Sequence, residues 1–100
     1  MSVAPGSAEL TGLREEIEEI DRALITLMAQ RVEAARKVGR AKRTAGLPIL
    51  DPAREAAVVR RAVELAREQQ LDEEEVREIY WHIIGLSRRA QLAGHSEITP

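Results

Sequence analysis

Cysteine is absent from this chain, and so is phenylalanine. Without cysteine there is no disulfide, no thiolate metal site and no thiol nucleophile. The aromatics are one tryptophan and one tyrosine. Few strand-forming residues compete with abundant Ala, Leu, Glu and Arg, so the composition points to helices. No apolar run approaches membrane-spanning length. Residues 1–7 lack both the basic start and the apolar stretch of a secretory signal. Neither sign of charge dominates: charged residues make up 32% of the chain and the net charge is -2. Nothing therefore requires nucleic acid as a partner. A hundred residues suit a single domain, and a cytoplasmic protein with no membrane partner is the expectation.

What is present is organised around one stretch, from about Leu10 to Arg43. Its apolar residues recur as Leu10, Leu13, Ile17, Ile20, Leu24 and Leu27, then Ala34, Val38 and Ala41. Steps of three and four describe a helix packed along its length. Such a helix is about 50 Å long at 1.5 Å per residue, against a radius of gyration of about 13 Å for a compact domain of this size. A second chain is needed to cover it. Arg31 interrupts the seam between Leu27 and Ala34. A guanidinium there is costly unless an anion meets it.

In chain order, residues 1–8 form a small tail expected to be disordered, and the folded domain spans 9–93. Ser7 or Thr11 caps the first helix, and Glu9, Glu15 and Glu16 suit its positive end. Arg36, Lys37, Arg40, Lys42 and Arg43 suit the other end. Gly39 lies inside the pattern and weakens the helix by roughly 1 kcal/mol against Ala, which suggests close packing or ligand approach. Gly46 and Pro48 end this helix. Asp51-Pro52 starts a second helix that runs to about Gln70 with Ala56, Val59, Ala62, Val63 and Ala66 inward. Asp72 to Glu75 resembles a capping box and opens a third helix, which Gly94 is expected to stop, leaving residues 94–100 as a tail. The fold class is all-α, with one long and two shorter helices.

The third helix has an anomaly of its own. Its apolar stripe, Val76, Tyr80, Ile83 and Ile84, continues at helical spacing through Ser87 and Gln91. Uncharged hydrogen-bonding groups on a buried face suit a polar ligand pocket between helices. Lys42 follows Arg31 by eleven residues, which places both on one face of the first helix about 16 Å apart. Arg14 lies about 26 Å before Arg31, too far to share a small ligand within one chain. In an antiparallel pair of first helices centred near residue 25, the second copy's Arg14 comes level with residues 36–37. Arg54 and Glu55 sit in the first turn of the second helix, where free amides add positive character and Asp51 caps them. The ligand this set implies is a small dianion with hydroxyl or ether oxygens. Singly, each residue has a plainer reading: Arg31 as a snorkelling or salt-bridged side chain, Arg14, Lys42 and Arg54 as surface charges, Asp51 as a cap, Glu55 as a first-turn acid, Ser87 and Gln91 as helix-end polars. Convergence is what favours a site. His82 and His95 have no companions at metal-ligand spacing, and no Ser-His-Asp set, phosphate loop or paired carboxylates can be assigned.

The residues carry a family resemblance. Leu13-Arg14-Glu15-Glu16-Ile17 with Asp21, Gln30-Arg31, Val38-Gly39-Arg40-Ala41-Lys42, Pro48-Ile49-Leu50-Asp51, Arg54-Glu55, and Ser87 with Gln91 together resemble the all-helical, AroQ-type chorismate mutases. The resemblance extends from Leu13 to Gln91. It implies an intertwined homodimer forming a six-helix bundle, and conversion of chorismate to prephenate in the shikimate pathway to phenylalanine and tyrosine, without metal or cofactor. It further implies that Arg14 from the partner chain and Arg31 bind the two carboxylates, that Lys42 binds a carboxylate and donates to the ether oxygen, and that Gln91 donates to the same oxygen. Glu55 would hold the ring hydroxyl with help from the backbone near Asp51, and Arg54 and Ser87 would orient the ligand. Leu50 stands where some relatives have a basic residue. The rivals are an isochorismate-pyruvate lyase of the same fold and a non-catalytic helical dimerisation module. An activating shikimate-pathway enzyme is a further partner that some relatives use.

Overall fold

The computed structural model describes residues 6–98, with side chains through Ala93. Among them there are three helices and no strand: α1 (Ser7–Ala45), α2 (Pro52–Glu68) and α3 (Glu73–Ile98). No helix is long and apolar enough to cross a membrane, among the described residues.

The helix ends follow from local chemistry. Ser7 opens α1, while Thr11 lies inside it; its hydroxyl donates back to the Ser7 carbonyl at 3.0 Å, an internal bond rather than a cap. At the other end Gly46 takes a left-handed φ of 70°. Gly46 N–H donates to Arg43 O at 3.2 Å and Leu47 N–H to Lys42 O at 2.8 Å, the pair of bonds that closes a glycine-terminated helix. Asp51 caps α2, its Oδ1 accepting from the Arg54 N–H at 3.1 Å, with Pro52 in the first turn. Asp72 caps α3, accepting from the Glu75 N–H at 2.9 Å. Two expected boundaries move. Glu68, not Gln70, is the last residue of α2, and Gln70 adopts φ 58° just beyond it. α3 continues through Gly94 to Ile98, so the expected tail at 94–100 is helical over most of its length. Glycine weakens a helix but ends one only when the chain turns left-handed there. The proposed tail at 1–8 overlaps α1 from Ser7, and residues 1–5 lie outside the described residues.

The chain divides into two units within α1, after Arg31. In the unit that begins at Val32, α2 packs on α3. Its buried side chains are Val59, Ala62, Val63 and Ala66 from α2, Ile84 and Ala90 from α3, and Ala35 from α1. Ala56 is half-buried. Small side chains dominate because helices that approach closely leave little room between their backbones. In the unit that ends at Arg31, α1 exposes Leu10, Leu13, Ile17, Ile20, Leu24, Ile25 and Leu27, each by 47% or more. Apart from Ile25 these are the expected seam as far as Leu27, which the chain by itself leaves uncovered; its later members Ala34, Val38 and Ala41, in the other unit, are exposed as well.

Candidate active site

The turn after α1 brings the chain back over its own last residues. Lys42, half-buried three residues before the end of α1, donates from Nζ to the Ile49 carbonyl at 2.8 Å. The same Nζ donates to Gln91 Oε1 on α3 at 3.1 Å. An ammonium has three N–H groups and no lone pair. Two are thereby directed, and the oxygen end of the Gln91 amide faces Lys42, which turns its NH2 end the other way.

Glu55 forms the second cluster. Arg88 of α3 grips its carboxylate with two bonds, Nε to Oε2 at 3.0 Å and Nη2 to Oε1 at 2.5 Å. A fork-to-fork pair of this kind is among the strongest side-chain interactions. The Arg88 hydrogen bonds hold the Glu55 carboxyl below its ordinary value of 4.5; burial pushes the other way, the charges of Arg88 and Lys42 lower it further, and Asp51 opposes them. Glu55 side-chain exposure is 19%, so the pair is only partly screened by water.

Ser87, one residue before Arg88 and one helical turn before Gln91, is the buried polar residue among the described side chains. Asp51 and Arg54 are exposed at the start of α2. The unit from Val32 onward thus holds six of the expected site residues: Lys42, Asp51, Arg54, Glu55, Ser87 and Gln91. Among them Lys42 bonds to Gln91 and Asp51 accepts from the Arg54 N–H, while Glu55 is held by Arg88. The other two, exposed Arg14 and half-buried Arg31, lie on α1 in the unit that ends at Arg31. His82 is exposed on α3, and the His95 side chain lies outside those described. No group of His, Cys, Asp or Glu suited to a metal occurs among the described residues.

Two residues were missed in the sequence. Arg88 shares the inward stripe with Ile84 and Gln91, at steps of four and three. A cation on that stripe is the same anomaly that singles out Arg31. Arg43 reads as one more basic residue at a helix C-terminus, yet its Nη1 donates to the Gln91 carbonyl at 3.0 Å. Its spacing of four from Gly39 was the available signal. The arrangement as a whole offers cationic and amide donors beside one ionised carboxylate. Donors of that kind hold an anionic ligand, and an ionised carboxylate accepts from a hydroxyl.

Comparison with known proteins agrees with this chemistry. The model of the family described as chorismate mutase type II matches residues 13–92. The chorismate mutase of Methanocaldococcus jannaschii is 37% identical over 65 residues, 65% of this chain and 66% of that protein. A protein of Pyrobaculum aerophilum named 3-dehydroquinate dehydratase is 44% identical over 62 residues, 62% of this chain and 21% of that protein. The solved structure of a conserved hypothetical protein from Pyrococcus furiosus superposes with a TM-score of 0.69 at 38% identity, over 86% of this chain and 99% of that one. The chain spans less than two thirds of the length of the curated relatives it matches first.

Proposed function

The chain belongs to the type II chorismate mutase family, and from that premise we propose that it converts chorismate to prephenate on the route to phenylalanine and tyrosine. The reaction is an intramolecular rearrangement: the ether C–O bond between the enolpyruvyl arm and the ring breaks while a C–C bond forms between the same two fragments. It needs no nucleophile, metal or proton transfer. The barrier falls when the arm is held over the ring and when donors stand where negative charge gathers on the ether oxygen.

The observation that carries this reading is the Lys42–Gln91 pair. Lys42 has an N–H beyond the two already directed, and the Gln91 amide presents its NH2 away from Lys42. Both donors serve the ether oxygen, and Lys42 also binds a carboxylate. Glu55, kept ionised by Arg88, accepts from the ring hydroxyl near Asp51. Arg54 and Ser87 orient the ligand, and Arg31 binds a carboxylate. The second carboxylate falls to Arg14 of a second copy.

That second copy is supported by the exposed seam of α1. Apolar area covered by a partner contributes about 25 cal/mol per Å², and an antiparallel pairing centred near residue 25 makes the seam self-complementary. The assembly is an intertwined homodimer with two equal sites in a six-helix bundle, working in the cytoplasm. An activating enzyme of the same pathway would show as a rise in kcat/KM on mixing.

The test is to incubate the protein with chorismate and identify the product by proton NMR, since substrate and product have the same mass. Prephenate is expected. Unchanged chorismate would overturn the proposal, and pyruvate released from isochorismate in a parallel incubation would indicate the lyase of the same fold.

A further inference from the structure

Three residues on one face of α1 meet a single residue of α3. Gly39 is buried, and a Cβ added to it would stand 3.0 Å from both Cα and the carbonyl oxygen of Gln91. Contacts at 3.0 Å are tighter than nine in ten that real Cβ atoms make, and here they are to backbone atoms, so the missing side chain is what lets the two backbones lie together without shifting. Lys42, three residues on, takes the Gln91 side-chain oxygen. Arg43, four residues on from Gly39, donates to the Gln91 main-chain oxygen at 3.0 Å. Positions three and four apart share a helix face, so space, side chain and main chain of Gln91 are all addressed from one stripe.

We propose that Gly39 and Arg43 form a clasp that sets the position of Gln91, making Arg43 a positioning residue for the rearrangement although it acts through Gln91 and not on the ligand. The inference rests on the functional reading above for its catalytic consequence, but not for the clasp itself. A helical carbonyl has two lone pairs, and one is left after the helix bond. Arg43 uses the one that is left, from a different helix. This couples the register of α3 at Gln91 to α1, the helix that also carries Lys42. The Arg43 Nε is buried with no hydrogen-bond partner among the described residues. A guanidinium serving only as a solvated charge at the helix end would keep that N–H in water. Gly39 fixes how near the backbones come, and Arg43 fixes where along α3 they meet. Lys42 then sets which end of the Gln91 amide faces outward.

The consequence is that the two donors assigned to the ether oxygen are positioned together. A misplacement of about 1 Å can cost a hundredfold in rate. Arg43→Met keeps the length of the side chain and removes the donor. Its kcat is expected to fall at least about tenfold with KM little changed. Arg43→Lys, whose ammonium still donates, should recover most of the loss. In a Gln91→Ala background the Arg43→Met change should have no further effect on kcat, because the group it positions is gone. Independent, additive losses would overturn the proposal, as would an unaltered kcat in Arg43→Met. A readout without activity separates the clasp from the function. The Gln91 side-chain NH2 resonances in ¹⁵N NMR should move towards those of a free glutamine in Arg43→Met and stay in place in Arg40→Met, an exposed neighbour on α1. Unmoved resonances in Arg43→Met overturn the clasp. Resonances that respond in a protein that leaves chorismate untouched would uphold the clasp and remove the functional reading.

Discussion

The two ends of α1 belong to one continuous helix and meet different fates. From Leu10 to Leu27 the large apolar side chains are exposed, Ile17 by 56% and Leu24 by 53%. Between Val32 and Ala45 the buried residues are Ala35 and Gly39, and Lys42 and Arg43 bond to Gln91 of α3. Large side chains form a surface that another helix can cover with water excluded, which suits association between chains. Small ones let a neighbouring backbone come close, which suits the positioning of reacting groups. On the proposed function, the first stretch would serve assembly and the second precision.

The comparison breaks most severely if the seam is not an interface. Ile17→Asp with Leu24→Asp would bury unpaired carboxylates, each destabilising by about 3–5 kcal/mol. The double variant is expected to sediment as a monomer or unfold, with turnover lost. A dimeric, active variant in sedimentation velocity would sink the contrast. The next effect belongs to the second stretch. Lys42→Ala is expected to lower kcat by at least roughly a hundredfold with the circular dichroism spectrum and oligomeric state retained. Near-normal turnover would withdraw Lys42 from the site.

A smaller effect tests the electrostatics of the same unit. Because the Arg88 hydrogen bonds lower the Glu55 carboxyl below 4.5, ionised Glu55 favours folding above about that pH. The contribution is lost as pH falls through the lower folded value. In Arg88→Met that cause disappears and burial then raises the carboxyl instead. Melting temperatures of the two proteins should differ most near neutrality and converge in acid. A gap that stays constant from pH 7 to pH 3 would exclude the pair as its source. The smallest effect contrasts the glycines directly. Gly12 is helical with nothing within 4 Å of an added Cβ, so Gly12→Ala should stabilise by about 1 kcal/mol in urea denaturation. Gly39→Ala should destabilise instead, since its Cβ meets the Gln91 backbone. Equal shifts at both positions would erase the distinction.

Much of this was legible along the chain because it depends on neighbours in sequence. The seam is periodicity. The caps at Asp51 and Asp72 and the turn at Gly46 are local chemistry, and all three form as expected. Ser87 on the buried face followed from the stripe through Ile84. The end of α3 did not, because Gly94 signals a stop only in combination with a left-handed turn that composition cannot reveal. Arg88 and Arg43 escaped for a different reason. Their partners, Glu55 and Gln91, are 33 and 48 residues away, and a cation's meaning lies in what it faces.

The sequence alone determined that this protein is helical, where its helices begin, and that α1 carries an apolar seam. Those properties come from propensity, capping and spacing, which act within a turn or two. The tertiary structure decided which carboxylate Arg88 holds, which oxygen Lys42 takes and how near Gly39 lets α1 come to α3. These depend on distances between side chains on different helices, and hydrogen bonding is lost over a fraction of an ångström.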